Sequence, residues 1–229
     1  MDVCLSREFV VNLITHPGKI TIIYGIPGSG KTYLAHVIAS ALLEKSEKVA
    51  FIDSERTISI SRIRNMANLP STSNESNGNI IIFQPEFLDQ ERTIIDNMLE
   101  KVISERKIST LIWDSIATNL RGEDFLESGG YLIMSQKILP KLLKITVKYN
   151  IRTILTNQVT FDFKNKGIRL LGGRHFEKYA HTLVRLDRVK GNTRVMHVLQ
   201  KPDIEFSIKF IITDYGIQVT KMRGVNAKI

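Results

Sequence analysis

Eight consecutive residues near the amino terminus have the types and spacing needed to hold a nucleoside phosphate. Gly25–Thr32 reads GIPGSGKT, which matches the pattern G-x-x-x-x-G-K-[ST]. Glycines in such a loop let backbone N–H groups turn inward around phosphate oxygens, and the following helix adds its dipole. Lys31 would neutralise charge on the β- and γ-phosphates, and Thr32 would offer its hydroxyl to Mg²⁺. The stretch therefore predicts a site for a nucleoside triphosphate with Mg²⁺.

Every residue of this loop is a predicted nucleotide ligand through its backbone or side chain. The set is Gly25, Ile26, Pro27, Gly28, Ser29, Gly30, Lys31 and Thr32. Tyr33 comes next, and it either approaches the nucleotide or packs within the following helix.

Two acidic strand ends supply further chemistry. Asp114 ends the apolar run TLIWD, where a carboxylate would hold Mg²⁺ directly or through water, unless it caps the strand exit. Asp53 and Glu55 lie in FIDSERT and share a face if the chain is extended. A carboxylate beside a γ-phosphate can orient or deprotonate an attacking water. Glu55 is the candidate for this role, and the alternative is a pair of surface acids.

An amide pair and a basic segment follow another apolar run. Residues 152–158 read RTILTNQ, and if this strand lies beside the Asp114 strand, Gln158 faces the γ-phosphate. Gln158 would then bond the γ-phosphate or the attacking water. The following loop, Thr160–Leu171, would respond to the presence of that phosphate. Three of its residues are placed to touch a nucleic-acid backbone: Lys164, Lys166 and Arg169. The alternative is a polar strand cap followed by an ordinary surface loop.

The elements that position these residues can be predicted from hydrophobic periodicity. Apolar, β-rich runs recur at 19–24, 48–53, 79–83, 110–114 and 152–158. Helical spacing appears at 31–45, 91–104 and 131–148, with Pro140 breaking or kinking the last segment. Near-continuous apolar strands alternating with helices predict an α/β fold with a largely parallel sheet, flanked by helices on both faces. Residues 181–189, 193–200 and 206–213 predict antiparallel hairpin strands appended to that sheet.

Length and composition predict one cytoplasmic α/β domain. The chain has 229 residues, and neither an internal repeat nor a long linker divides them. Its single cysteine allows no intrachain disulfide, which suits a reducing compartment. The sequence has neither a secretion signal nor an apolar run long enough to span a membrane.

Charge is concentrated in the carboxy-terminal part. Residues 1–136 contain 13 Lys and Arg against 17 Asp and Glu, a balance of −4. Residues 137–229 contain 19 against 6, a balance of +13, which gives the net charge of +9. A basic half favours a polyanionic partner, with nucleic acid first, although a solvated basic surface would have the same composition.

The motifs together resemble the RecA-type recombinase core. GIPGSGKT, FIDSERT, LIWDSIATNLRGE, LTNQV and LLGG occur in the order and spacing of that family, over about residues 18–219. The sequence is most similar to archaeal RadB and related RadA paralogues. This resemblance implies a single RecA-like P-loop NTPase core over residues 1–229, with no amino-terminal helical DNA-binding domain. It also implies that ATP and Mg²⁺ bind.

The resemblance assigns roles to individual positions. Lys31, Glu55 and Gln158 match catalytic and γ-phosphate-sensing positions, and Thr32 and Asp114 match the Mg²⁺ positions. Further matches are Arg62 on the adenine, Asn119–Gly130 with Arg121 as the first DNA-binding loop, and Thr160–Leu171 as the second. Arg174, just after the Gly pair, would touch DNA or a neighbouring subunit.

Departures from the family pattern point to an accessory role. Lys178 stands where the family has a histidine that helps to read the nucleotide of the next subunit. The second loop looks short, and the amino-terminal segment lacks the Phe-x-x-Ala element that joins recombinase subunits. We therefore expect an ATP- and DNA-binding protein of recombination and repair with weak ATPase activity, serving a recombinase or other repair proteins.

Other functions stay open at this point. They are a DNA-stimulated, filament-forming recombinase, a clock-type or signalling ATPase on the same fold, and a small-molecule kinase. Self-association is open as well.

Overall fold

The computed structural model of the chain describes residues 7–69, 78–118, 133–162 and 167–225. Several predicted DNA-binding residues lie outside these ranges: Arg121 with the rest of loop Asn119–Gly130, Lys164 and Lys166. No helix in the described ranges is long and apolar enough to cross a membrane.

Nine strands form one mixed sheet. Their bounds are β1 Ile20–Gly25, β2 Val49–Asp53, β3 Ile80–Phe83, β4 Thr110–Asp114, β5 Arg152–Asn157, β8 Thr182–Lys190, β9 Thr193–Gln200, β10 Ile204–Thr213 and β11 Gly216–Val225. The order is β11-β10-β9-β8-β1-β5-β4-β2-β3. Pairs from β8 to β3 are parallel, and pairs from β8 to β11 are antiparallel. The predicted parallel sheet with appended hairpins is confirmed.

Helices cover the parallel part of the sheet on both faces. The first layer contains α1 Arg7–Ile14, α2 Lys31–Leu43 and α3 Ile60–Met66. The second contains α4 Leu88–Thr93, α5 Leu99–Arg106 and α6 Leu139–Lys148. A π-helical turn, Ile94–Met98, joins α4 to α5, and another, Met134–Ile138, precedes α6. A short helix, α7 Arg174–Glu177, lies ahead of β8. Each layer has its own buried apolar cluster, so the sheet separates two cores.

Residues after Gln158 fold differently from the sequence prediction. Thr160–Leu171 was expected to be a loop, yet most of it pairs as an antiparallel hairpin of β6 Val159–Asp162 and β7 Gly167–Leu170. The physical reason is alternation with period two, since Val159 and Phe161 face Leu170 and Ile168 across the pair. This hairpin forms a sheet of its own.

Three further elements were not predicted. Helix α1 buries Val10, Val11 and Ile14, a pattern too short to stand out in the sequence. Helix α3 begins at the cap Ser59, whose side chain accepts a hydrogen bond from Arg62 N. Strand β11 pairs with β10 through a bulge at Lys209/Phe210.

Pro140 lies in the first turn of α6, directly after a π-helical turn. Proline is tolerated there because the first N–H groups of a helix lack intrahelical acceptors. The sequence predicted a break or a kink at Pro140. The structure has a change there from a π-helical turn to an α-helix.

Candidate nucleotide-binding site

The P-loop lies between the buried strand β1 and helix α2, at the carboxyl end of the parallel strands. Gly25 must be glycine, because a Cβ there would lie 2.5 Å from Leu186 O and 2.6 Å from Ser29 Oγ. Gly30 caps α2 with φ of 103° and offers no side-chain cap. The first N–H groups of α2 are thus available to an anion, as in other helix-terminal phosphate sites.

A cleft of about 510 Å³ opens at this point. Its lining residues are Pro27, Gly28, Gly30, Lys31, Thr32, Tyr33, His36, Glu55, Thr57, Arg62, Gln158, Arg194 and Ile212. The structure therefore brings the predicted Lys31, Thr32, Glu55, Gln158 and Arg62 to one cavity.

The ammonium group of Lys31 lies against the loop itself. Its Nζ donates to Gly25 O over 3.0 Å and to Ile26 O over 3.2 Å. These bonds hold the amine over the concave side of the loop, where a phosphate would compete with the carbonyl oxygens.

Asp114 is buried at the end of β4 with an incomplete hydrogen-bond shell. Thr156 donates its hydroxyl to Oδ1, whereas the buried Oδ2 has no hydrogen-bond partner in the described ranges. Burial raises the pKa of Asp114; hydrogen bonds from Thr156 and Thr32 oppose that rise, and the carboxylates of Glu55 and Asp53 add to it. An unsatisfied oxygen near other carboxylates suits a bound cation.

Mg²⁺ commonly takes one or two carboxylates together with phosphate oxygens and water. Among the described residues no group of three or more His, Cys, Asp or Glu side chains could hold a metal by itself. The residues present therefore fit an ion shared between Asp114, the Thr32 hydroxyl and a nucleotide.

The two acids after β2 have separate environments. Asp53 is fully buried and accepts from Thr57 N, Ile58 N and Gln84 Nε2, so it organises the segment that leads to α3. Glu55 is exposed in the cleft and accepts from Ser115 Oγ over 3.0 Å and from Thr118 Oγ1 over 3.1 Å. Only Glu55 of the two lines the cavity, whereas a shared face was expected, because strand β2 ends at Asp53 and the chain turns before Glu55.

Gln158 connects the cleft to the β6–β7 hairpin. Strand β5 does lie beside β4, so the residue after it reaches the nucleotide edge. Gln158 O accepts from Leu171 N over 2.9 Å, and Asn157 Nδ2 donates to Leu171 O over 3.0 Å. The side chain of Gln158 lines the cleft. The amide pair therefore closes the base of the hairpin while one of its members faces the nucleotide site.

The sequence drew attention to Tyr33 and Arg62 but left the role of Tyr33 open. The Tyr33 hydroxyl shares its one donor between the carbonyl oxygens of Thr213 and Gly216, which ties α2 to the β10–β11 turn. Arg62 is exposed on α3 at the rim of the cleft. Tyr33 thus combines packing with a position on the cavity wall.

His36 is a cleft residue whose role the sequence analysis did not find. It is 1% exposed, and its Nε2 accepts from Ser59 N over 3.2 Å, which joins α2 to the start of α3. Burial, assisted by the positive charge of Arg62, lowers the pKa of His36 to about 4, so the ring is neutral. The sequence feature that could have indicated a buried role for this histidine is its place inside the apolar stretch LAHVIA.

Arg194 is the second missed residue. Its guanidinium supports the P-loop from below: Nε donates to Ser29 O over 3.0 Å and Nη1 to Gly191 O over 2.8 Å. Arg194 is 7% exposed and alternates with the buried Met196 and Val198. An arginine on the core-facing side of a strand is unusual, and that pattern could have singled it out.

The predicted DNA-contacting residues that the structure describes lie on and after the hairpin. Arg169 is exposed on β7, opposite Thr160. Arg174 is exposed at the start of α7. Lys178 is exposed too, with Nζ 4.8 Å from the ring centroid of Tyr179. Gly172 lets this segment turn, because a Cβ there would lie 2.3 Å from the buried Phe176 ring.

Comparison with known proteins identifies the family. The family model described as Rad51 matches residues 11–220, nearly the whole chain. The chain belongs to the Rad51 family. The family's fold is a nucleotide-binding fold, and the expected RecA-type fold is confirmed.

Members of this family named "DNA repair and recombination protein RadB" are similar over most of their length. The protein from Methanosphaera stadtmanae is 30% identical over 205 residues, which cover 87% of each chain. The protein from Thermococcus sibiricus is 32% identical over 207 residues, covering 88% of this chain and 86% of its own. A crystal structure of the RadB recombinase superposes with a TM-score of 0.73 at 28% identity, covering 89% of this chain and 91% of that one.

Proposed function

We propose that the chain is an ATP-binding, DNA-binding accessory protein of homologous recombination and DNA repair, with slow Mg²⁺-dependent ATP hydrolysis. It would act as one RecA-like core domain on single-stranded or branched DNA, alongside a recombinase or other repair proteins. The relatives named for DNA repair and recombination support this proposal.

The observation that carries the proposal is the double role of Gln158. Its side chain lines the cleft with Lys31 and Glu55, while its backbone and that of Leu171 close the base of the hairpin. A group that bonds the γ-phosphate there would pull on the hairpin directly. ATP would therefore set the position of the segment that carries the basic residues.

The chemistry of hydrolysis would be divided among residues at the carboxyl end of the sheet. Lys31 and the P-loop amides would bind the phosphates, and Arg62 would pack on the base. Thr32 and Asp114 would hold Mg²⁺, which would supply charge neutralisation at the phosphate oxygens. Glu55 would accept a proton from the attacking water, or orient it, and Gln158 would sense the γ-phosphate.

DNA would be held mainly through its phosphates. The balance of +13 in residues 137–229 supports a polyanionic partner. Arg169 and Arg174 are exposed beside the hairpin, and Arg121, Lys164 and Lys166 would join them from segments outside the described ranges.

A second function is favoured by the same cleft. Because Glu55 and Gln158 both line it, the protein would have the hydrolytic residues of a DNA-stimulated ATPase of the filament-forming kind. Hydrolysis measured with and without single-stranded DNA separates the two. Slow hydrolysis with less than about twofold stimulation supports the accessory role. Stimulation of hydrolysis by roughly a hundredfold, which lies in the range of allosteric coupling, would contradict the accessory role and support the filament-forming recombinase.

A further inference from the structure

A buried hydrogen-bond network fixes the residue next to Glu55. The Ser54 hydroxyl donates to Glu91 Oε1 over 2.6 Å and accepts from Trp113 Nε1 over 3.1 Å. On the backbone side, Ser54 N donates to Asp114 O over 3.0 Å, and Glu55 N to the same oxygen over 3.4 Å. The turn that carries Glu55 is therefore held both by the end of β4 and by helix α4.

The acceptor in this network is a fully buried carboxylate. Glu91 is 0% exposed on α4, whereas the side chain of Asp89 on the same helix is 89% exposed. Burying a polar group costs free energy unless hydrogen bonds satisfy it, and burying an apolar side chain at the same position carries no such cost. The distance of 2.6 Å between Ser54 Oγ and Glu91 Oε1 is at the short end for an O–H···O hydrogen bond. Such a contact is suited to fixing geometry.

Glu91 takes no part in the proposed reaction, because its side chain is buried behind Ser54 and does not line the cleft. Its influence on the cleft would pass through Ser54. Among the described residues, the Glu55 carboxylate accepts hydrogen bonds from the hydroxyls of Ser115 and Thr118. Both of those hydrogen bonds are accepted by Oε1 of Glu55, whereas its backbone is held by Asp114 O and by the adjacent Ser54 anchor.

We propose that Glu91 is a positioning residue for hydrolysis: through Ser54 it holds Glu55 where an attacking water can be oriented. This inference rests on the proposed function, since it needs Glu55 to act in ATP hydrolysis. Small displacements of a catalytic group of about 1 Å can cost about a hundredfold in rate. Loss of the anchor should therefore lower turnover without weakening the phosphate contacts made by Lys31.

The test compares Glu91→Ala, Glu91→Gln and Ser54→Ala with the exposed control Asp89→Ala, using single-turnover hydrolysis and ATP affinity. We expect Glu91→Ala and Ser54→Ala to lower the rate about tenfold, with ATP affinity unchanged within about twofold. Glu91→Gln, which keeps an acceptor oxygen, should recover most of the rate. Asp89→Ala should match the wild type.

Two further readouts separate positioning from loss of fold. Trp113 is the only tryptophan of the sequence, so its emission reports the network directly. Glu91→Ala and Ser54→Ala should shift that emission, and Asp89→Ala should not. In a Glu55→Gln background, Glu91→Ala should cause no further loss of rate, because residues that act as a unit are not additive.

The outcomes distinguish this inference from the proposed function. If Glu55→Gln hydrolyses ATP as fast as the wild type, the role of Glu55 is wrong and the positioning inference falls with it. If Glu55→Gln is inactive while folded Glu91→Ala and Ser54→Ala keep the full rate, only the positioning inference is overturned. Additive losses in the Glu55→Gln background would overturn it too. If Glu91→Ala does not fold, Ser54→Ala decides.

Discussion

Thr156 on β5 donates its hydroxyl to Oδ1 of Asp114 on the neighbouring strand β4, and this contact leaves the buried Oδ2 as the oxygen available to a ligand. The bond orients the carboxylate towards the carboxyl edge of the sheet. Burial raises the pKa of Asp114, which a bound cation would reverse. The pair thus links the sheet register to the proposed Mg²⁺ position.

Asp114→Asn should weaken Mg²⁺-dependent ATP binding about tenfold to a hundredfold while leaving metal-free binding nearly unchanged, because an amide cannot replace the anionic ligand. Titration of ATP with and without Mg²⁺ measures the difference. Thr156→Val is the matched control for orientation, and it should produce a smaller loss of the same kind. Equal Mg²⁺ dependence in Asp114→Asn and the wild type would exclude Asp114 as a metal ligand.

Lys31→Ala should abolish measurable ATP binding and leave the fold intact, because its Nζ lies against the P-loop, donating to Gly25 O over 3.0 Å and to Ile26 O over 3.2 Å, and is only partly buried. Calorimetric ATP titration together with circular dichroism checks both statements. Retained affinity in a folded Lys31→Ala protein would show that phosphate binds elsewhere.

His36 should make the protein lose stability on acidification. Its pKa is about 4 in the folded chain against an ordinary value of 6.5, so the unfolded chain binds more protons between these values. The free energy of unfolding should therefore fall as pH decreases from about 6.5 to 4, by up to about 3 kcal/mol. His16 and His181 also have lowered pKa values, so the contribution of His36 must be isolated by mutation.

His36→Gln is the matched variant, because its amide oxygen can accept from Ser59 N without titrating. Denaturant unfolding at pH 7 and pH 4.5 should show a smaller loss of stability for His36→Gln than for the wild type. Parallel pH dependences in the two proteins would mean that His36 is not buried as a neutral ring.

Arg194→Ala should lower both stability and ATP affinity, since it leaves the carbonyl oxygens of Ser29 and Gly191 without their donors. The loss of stability should come mainly from Ser29, which is fully buried, since an unsatisfied buried group costs about 1–3 kcal/mol, whereas Gly191 is exposed. Arg188→Ala provides the control, because Arg188 is exposed on β8. This change should alter neither the stability nor the ATP affinity. Comparable melting temperatures for the two variants would show that the guanidinium does not support the P-loop.

Charge reversal in the segment of sequence between β6 and β7 should weaken DNA binding and flatten its dependence on salt. The change is Lys164→Glu with Lys166→Glu, and the measurement is DNA affinity at several salt concentrations. The matched control is Lys137→Glu with Lys144→Glu on the exposed side of the α6 segment, where neither lysine makes an ion pair with any described residue. Identical salt slopes for both double variants would remove the hairpin from the DNA site.

Motifs with strict local geometry were predictable from the sequence. The P-loop needs glycine at fixed positions, and the strand ends at Asp114 and Gln158 follow apolar runs that only a parallel sheet can bury on both faces. These features predicted the fold class and the convergence of Lys31, Glu55 and Gln158 in one cleft.

Features that depend on tertiary contacts were not predictable. Helix α1 is stable because Val10, Val11 and Ile14 pack on the sheet, not because of its own length. Arg194 reaches Ser29 from 165 residues away in sequence. The pairing of β6 with β7 was not predictable because the sequence between them has the composition of a loop. Glu91 had no local signal because burial of a carboxylate depends on its partners.

The most direct test of the central claim is the affinity for single-stranded DNA with and without ATP and Mg²⁺, measured in the wild type and in Gln158→Ala. We expect the DNA affinity of the wild type to change by at least about fivefold with ATP, and this change to disappear in Gln158→Ala while ATP still binds. An affinity that is the same with and without bound ATP would contradict the claim that the nucleotide cleft controls the DNA-binding hairpin.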